Sequence, residues 1–79
     1  MKDGYKTRDF YLGASLLASG MILQRLELTV NNAYFFVFET STENAEKIIK
    51  LYWDRSLKLP IRDFVDAINE LKTRIHTER

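Results

Sequence analysis

The residue types able to do chemistry are few and poorly grouped. His76 is the only imidazole, and it falls on the polar side of the last turn of the final predicted helix. A triad or a histidine-rich metal site needs an imidazole held by neighbours on a rigid scaffold, so a solvated or C-capping role is expected. Asp63, Asp66 and Glu70 gather on one side of that same helix, beside Asn69. Paired carboxylates suit acid–base work or a hard cation. Arg62 stands four residues before Asp66, however, and Arg74 four after Glu70, and interleaved opposite charges describe a solvated helix face. With no cysteine, disulfides, thiolate zinc sites, c-type haem and cysteine nucleophiles are excluded. We expect no catalytic residue, no metal ligand and no cofactor, in a protein that is not an enzyme.

Binding chemistry is the alternative. Lys6, Arg8, Arg55, Lys58 and Arg62 are candidates for nucleic-acid contact, with Trp53, Tyr34 or Phe35 as stacking platforms. Twelve Lys and Arg against eleven Asp and Glu leave a formal net charge of only +1. A proline-started helix after a short turn superficially resembles a helix-turn-helix, but Asp63, Asp66 and Glu70 on its outward surface would repel phosphate. Nucleic acid is therefore kept as a second partner class and is not the favoured one.

These side chains are positioned by elements that read clearly. Residues 1–8 carry no apolar period and read as a flexible, slightly basic N-terminal arm, leaving residues 9–77 as a single α+β domain. From Phe10 to Gln24 there is no charge. The run is shorter than the ~20 apolar residues of a membrane span, and Gly13, Ser15, Ser19 and Gly20 break it. Lys2, Lys6 and Arg8 before it suggest a signal peptide, but Asp3 and Asp9 sit in the would-be basic region. We expect a cytoplasmic chain without membrane contact. As a helix the stretch is capped by Thr7, favoured by Asp9 at its positive end and closed by Gly20. Its apolar residues fall on two sides, Phe10, Ala14, Leu17 and Ala18 against Leu12 and Leu16. Such a helix is either sandwiched inside the monomer or meets a partner on one face.

Leu26, Leu28 and Val30 alternate with Arg25, Glu27 and Thr29, the period of a strand. Asn31-Asn32 is a turn pair, and Ala33–Glu39 is rich in β-formers, so the two runs form a hairpin. A two-residue loop would put Tyr34, Phe36 and Phe38 outside. A three-residue loop puts them beside Leu26, Leu28 and Val30, and is preferred because it gathers the large apolar groups on one face. Phe35 and Val37 then lie opposite, so both faces call for cover. Thr40 with Glu43 forms a capping box before a helix from about Glu43 to Arg55, with Ala45, Ile48, Ile49 and Tyr52 inward and Trp53 at the edge of the stripe. Ser56–Leu59 connects to Pro60, which opens a last helix with a seam of Ile61, Phe64, Ile68, Leu71 and Ile75. The fold class is α+β, a single small domain of order α-β-β-α-α, with an antiparallel β-hairpin packed against helices.

At 79 residues with no staples, a lone core gives little more than ~3–5 kcal/mol. A two-stranded hairpin also leaves unpaired edges. Joining edges across a two-fold axis would supply the missing burial, so a homodimer is preferred to a monomer, with Leu12, Leu16, Phe35, Val37 and Trp53 as candidate interface residues.

Tyr52-Trp53, Leu57–Leu59, Phe64, Ala67-Ile68 and Leu71-Lys72, with Asp9-Phe10-Tyr11-Leu12, Ala18-Ser19-Gly20 and Phe36-Val37-Phe38-Glu39, carry a resemblance. Over about residues 7–76 the chain resembles a domain-of-unknown-function family of short bacterial, phage and mobile-element proteins. The resemblance implies a small accessory role and supplies no catalytic residues. The function expected is that of a non-enzymatic accessory or adaptor domain acting by protein–protein contact and self-associating. The alternative is a weak nucleic-acid-binding accessory protein of a phage or mobile element.

Overall fold

A computed structural model describes residues 4–78. The elements in chain order are β1 (Tyr5–Thr7), α1 (Phe10–Ala18), β2 (Leu23–Leu28), β3 (Tyr34–Phe38), α2 (Thr42–Trp53) and α3 (Ile61–Glu78). From α1 onward this is the expected α-β-β-α-α order, and the class is α+β. The sheet has three antiparallel strands in the order β1-β3-β2. The added strand is a correction: Tyr5–Thr7, within the segment read as a flexible arm, pairs with Phe36–Phe38. Three residues are too few for a period to show. Yet Thr7 is buried and Tyr5 packs against the core, while Lys6 between them points out. The rest of that arm up to Asp3 lies outside the described residues.

The hairpin takes the three-residue loop. Leu28 pairs with Tyr34 and Leu26 with Phe36, so Tyr34, Phe36 and Phe38 share the leucine face. Asn32 N–H donates to Thr29 O at 3.2 Å, Asn32 has φ 62°, and Thr29 N–H reaches Ala33 O at 2.7 Å. This is a turn followed by a left-handed residue, which asparagine tolerates. Val30, assigned to the inward face, instead sits in this loop at 98% exposure. A bulge at Gln24 returns Leu23 to the inner face opposite Phe38.

α1 and α3 cover that inner face, and α2 packs on α1. Ala14 and Leu16 of α1 meet Leu23, Leu26, Phe36 and Phe38 of the sheet and Ala67 and Leu71 of α3 in one core. The two-faced α1 is sandwiched inside the monomer, between α2 and α3. Its approach to the sheet is close: a Cβ on Gly13 would lie 3.2 Å from the Phe36 ring and 3.6 Å from Leu71 Cδ1. Buried Ser15 is accommodated because its hydroxyl donates to Tyr11 O at 2.9 Å.

The helix ends follow local chemistry, displaced slightly from the expected residues. Asp9, not Thr7, caps α1, accepting from Leu12 N–H at 3.1 Å, while Thr7 Oγ1 accepts from Asp9 N–H. Gly20 does close α1, at φ 101°, with Gly20 N–H bonding Leu17 O and Met21 N–H bonding Leu16 O. Ser41, one residue beyond Thr40, caps α2 by accepting from Asn44 N–H at 3.1 Å. Pro60 O accepts from Asp63 and Phe64 N–H, so proline sits at the mouth of α3 without needing its own donor.

The outer face of the sheet is covered by side chains rather than, among the described residues, by a second layer. Lys6, Val37 and Arg25 form one cross-strand row, and Phe35 pairs with Glu27 in the next. Glu27 accepts from Lys6 Nζ and from Arg25 Nε, each at 3.0 Å. The Lys6 ammonium also stands 5.7 Å from the Phe35 ring centre. Val37, flanked by Lys6 and Arg25 in its row, is buried.

Candidate protein-contact site at the α2–α3 corner

The last turn of α2 sets the geometry of an apolar corner. Asp54 is the C-cap, and the chain then turns through Arg55 at φ 63°. Arg55 N–H bonds Tyr52 O at 3.2 Å and Ser56 N–H bonds Leu51 O at 2.9 Å, which is the Schellman closure. Glycine is the usual occupant of this position because it has no Cβ to clash. Arginine holds it here. The reversal swings Leu57 and Leu59 of the connector back toward Tyr52, opposite Ile61 and Phe64 of α3. These side chains, with Ser15 of α1 and Arg55, line a depression of ≈ 250 Å³.

The Tyr52 ring meets the Trp53 ring edge-to-face at 5.1 Å. Trp53 is 67% exposed and Ile61 82%, so the apolar lining runs out onto the surface on both sides. Burial, and secondarily the Asp9 carboxylate, push the Tyr52 phenol above its ordinary 10.0. Tyr5 is likewise raised, by burial and then by Glu46 and Asp9. The corner therefore offers apolar surface, a neutral phenol and one guanidinium.

Of the residues weighed for acid–base chemistry, three carboxylates lie together and His76 is absent from the depression they border. His76 is exposed near the end of α3. Asp63, Asp66 and Glu70 border a shallow depression beside Leu17 and Ala18, with Arg62 Nε 3.4 Å from Asp66 and Arg74 3.8 Å from Glu70, as their spacing suggested. Among the described residues no three His, Asp or Glu are grouped to hold a metal ion.

The five basic candidates do not form one patch. Lys6 lies on the outer sheet face, tied to Glu27, and Arg8 is exposed between β1 and α1. Arg55 lines the corner, while Lys58 lies between Leu57 and Leu59 in the connector and Arg62 turns to Asp66. Of the interface candidates, Leu12, Leu16 and Val37 are enclosed within the chain and offer no contact surface, because α1 is covered on both sides and Val37 is buried in its row between Lys6 and Arg25. Phe35 is half-buried beneath Lys6. Trp53 alone is freely presented. The Ile61 seam position also turns outward, one turn before α3 meets α1. Sequence reasoning missed Leu57 and Leu59 as lining; two leucines in a four-residue connector were the available signal.

No helix among the described residues is long and apolar enough to cross a membrane. Comparison with curated proteins finds no match, and comparison with solved structures finds none either. A family model does match, over residues 2–77. With nearly its whole length covered, from the β1 segment to the last turn of α3, the chain belongs to the DUF5659 family, a domain of unknown function.

Proposed function

We propose that this chain is a non-enzymatic accessory or adaptor domain that acts in the cytoplasm by protein–protein contact, with the α2–α3 corner as its contact surface. The observation that carries the reading is the mainly apolar depression lined by Tyr52, Leu57, Leu59, Ile61 and Phe64, with Ile61 exposed in its lining and exposed Trp53 stacked edge-on against Tyr52. Single exposed apolar residues are ordinary; a group of them around a concavity marks a binding surface. The proposal includes self-association along β2, an edge strand with Leu28 exposed at its end and Ile22 exposed just before it. Pairing there across a two-fold axis leaves the corner of each copy free. A small accessory role in a phage or mobile element accords with a chain of this size and these surfaces.

Titration of the full chain with acetyl-Leu-Phe-amide tests the contact surface through the emission of Trp53, the only tryptophan. The expected result is a shift in emission that Ile61→Ser removes. No shift, or the same shift in Ile61→Ser, contradicts the reading. Sedimentation equilibrium tests the edge: a species of twice 9.3 kDa at high concentration, lost in Leu28→Lys, is expected. A 9.3 kDa species at every concentration contradicts self-association.

A further inference from the structure

We infer that the depression at the α2–α3 corner receives a large apolar side chain flanked by a carboxylate on a partner polypeptide, and that Arg55 binds the carboxylate. The inference rests on the contact reading above and specifies the partner's chemistry. The cavity of ≈ 250 Å³ is smaller than the roughly 300–1,000 Å³ of pockets that enclose drug-sized ligands, and it suits one or two side chains. Tyr52, Leu57, Leu59, Ile61 and Phe64 make the lining apolar, so an apolar group must fill it.

Charge complementarity supplies the rest. Among the described residues Arg55 is the one charged residue in the lining, and no carboxylate forms an ion pair with it. Asp54 and Asp63 are close in sequence, yet neither engages it. Lys58, between the two lining leucines, adds the same sign. A guanidinium is planar, always charged and matched to a carboxylate by a two-pronged hydrogen bond. Its backbone position points the same way. A left-handed C′ position normally goes to glycine, so arginine is held there at a conformational cost and with no ion-pair partner among the described residues. A nucleic-acid strand fits less well, because the recess is too small and apolar for a phosphate chain.

Three probes decide the matter on the full chain, read by Trp53 emission: acetyl-Glu-Leu-Phe-Glu-amide, acetyl-Gln-Leu-Phe-Gln-amide and an oligo-dT. The glutamate peptide is expected to bind about tenfold more tightly than the glutamine peptide, the scale of one charge-assisted hydrogen bond. In Arg55→Gln the two peptides should bind alike, while Arg55→Lys keeps part of the difference. Circular dichroism checks that both variants are folded. Equal binding of the two peptides by the unmodified chain overturns the inference and leaves the contact reading standing. Failure of both to bind overturns the inference, and failure of acetyl-Leu-Phe-amide as well overturns the reading beneath it. Tighter binding of oligo-dT than of the glutamate peptide replaces the polypeptide partner with nucleic acid and overturns the inference.

Discussion

Replacing Arg55 with glycine should make the protein more stable while removing its most specific binding group. Arg55 sits at φ 63°, where the Cβ of an L-residue crowds the following carbonyl at a cost of roughly 1–2 kcal/mol. Glycine relieves that strain but gives the unfolded chain more freedom, which offsets about 0.5–1 kcal/mol. The side chain is exposed and forms no ion pair among the described residues, so its removal costs little folding energy. The net gain is about 0.5–1 kcal/mol, or a rise of about 2–8 °C in Tm for a domain of this size. Arg55→Ala is the necessary comparison, because it deletes the same guanidinium and keeps the strained backbone. Thermal melts followed by circular dichroism should rank Arg55→Gly above both Arg55→Ala and the unmodified chain. If Arg55→Gly melts at or below Arg55→Ala, the backbone argument is wrong and arginine carries no conformational cost at this turn.

Leu71→Ala, at a fully buried site beside Gly13 and the sheet, should cost about 2–5 kcal/mol, most of what a domain this small possesses, and urea melts should find it largely unfolded at ambient temperature. Glu27 is held below its ordinary 4.5 by hydrogen bonds from Lys6 and then Arg25. Its contribution to stability is therefore present above about pH 4.5 and is lost as pH falls through the lower folded value; acid titration of Glu27→Gln should lack that part of the loss. The Tyr52 phenol, raised above 10.0 mainly by burial, works in the opposite direction. Its contribution is complete below pH 10 and is lost as pH rises through the higher folded value, so Tyr52→Phe should remove a late component from the alkaline absorbance titration.

Much of this fold was legible from period and caps alone. Leu26 and Leu28 with Tyr34 and Phe36 marked which side chains share a face, because an odd loop length gathers them; the pairing itself was not fixed, and Val30 passes into the loop. Gly20 marked the end of α1 for an equally local reason. What was not legible depended on contacts distant in sequence. The strand at Tyr5–Thr7 exists because β3 offers it an edge, which three residues cannot announce. Leu12 and Leu16 read as a spare face because the chain gives no sign that α2 and α3 flank α1 on either side. Phe35 and Val37 called for cover, and Lys6 and Arg25, their neighbours on that face, were too far away in sequence to be read as part of it. The corner was hidden for a similar reason: its lining comes from the end of α2, a connector and the start of α3, and it closes only because Arg55 turns left-handed.

The amide and indole NMR spectrum of the full chain, recorded during titration with acetyl-Glu-Leu-Phe-Glu-amide, tests the corner most directly. The account predicts shifts concentrated on Tyr52, the Trp53 indole, Arg55, Leu57, Ile61 and Phe64, with the outer sheet face around Phe35 and Val37 unmoved. Shifts centred on that sheet face, or an unchanged spectrum throughout the titration, would contradict it.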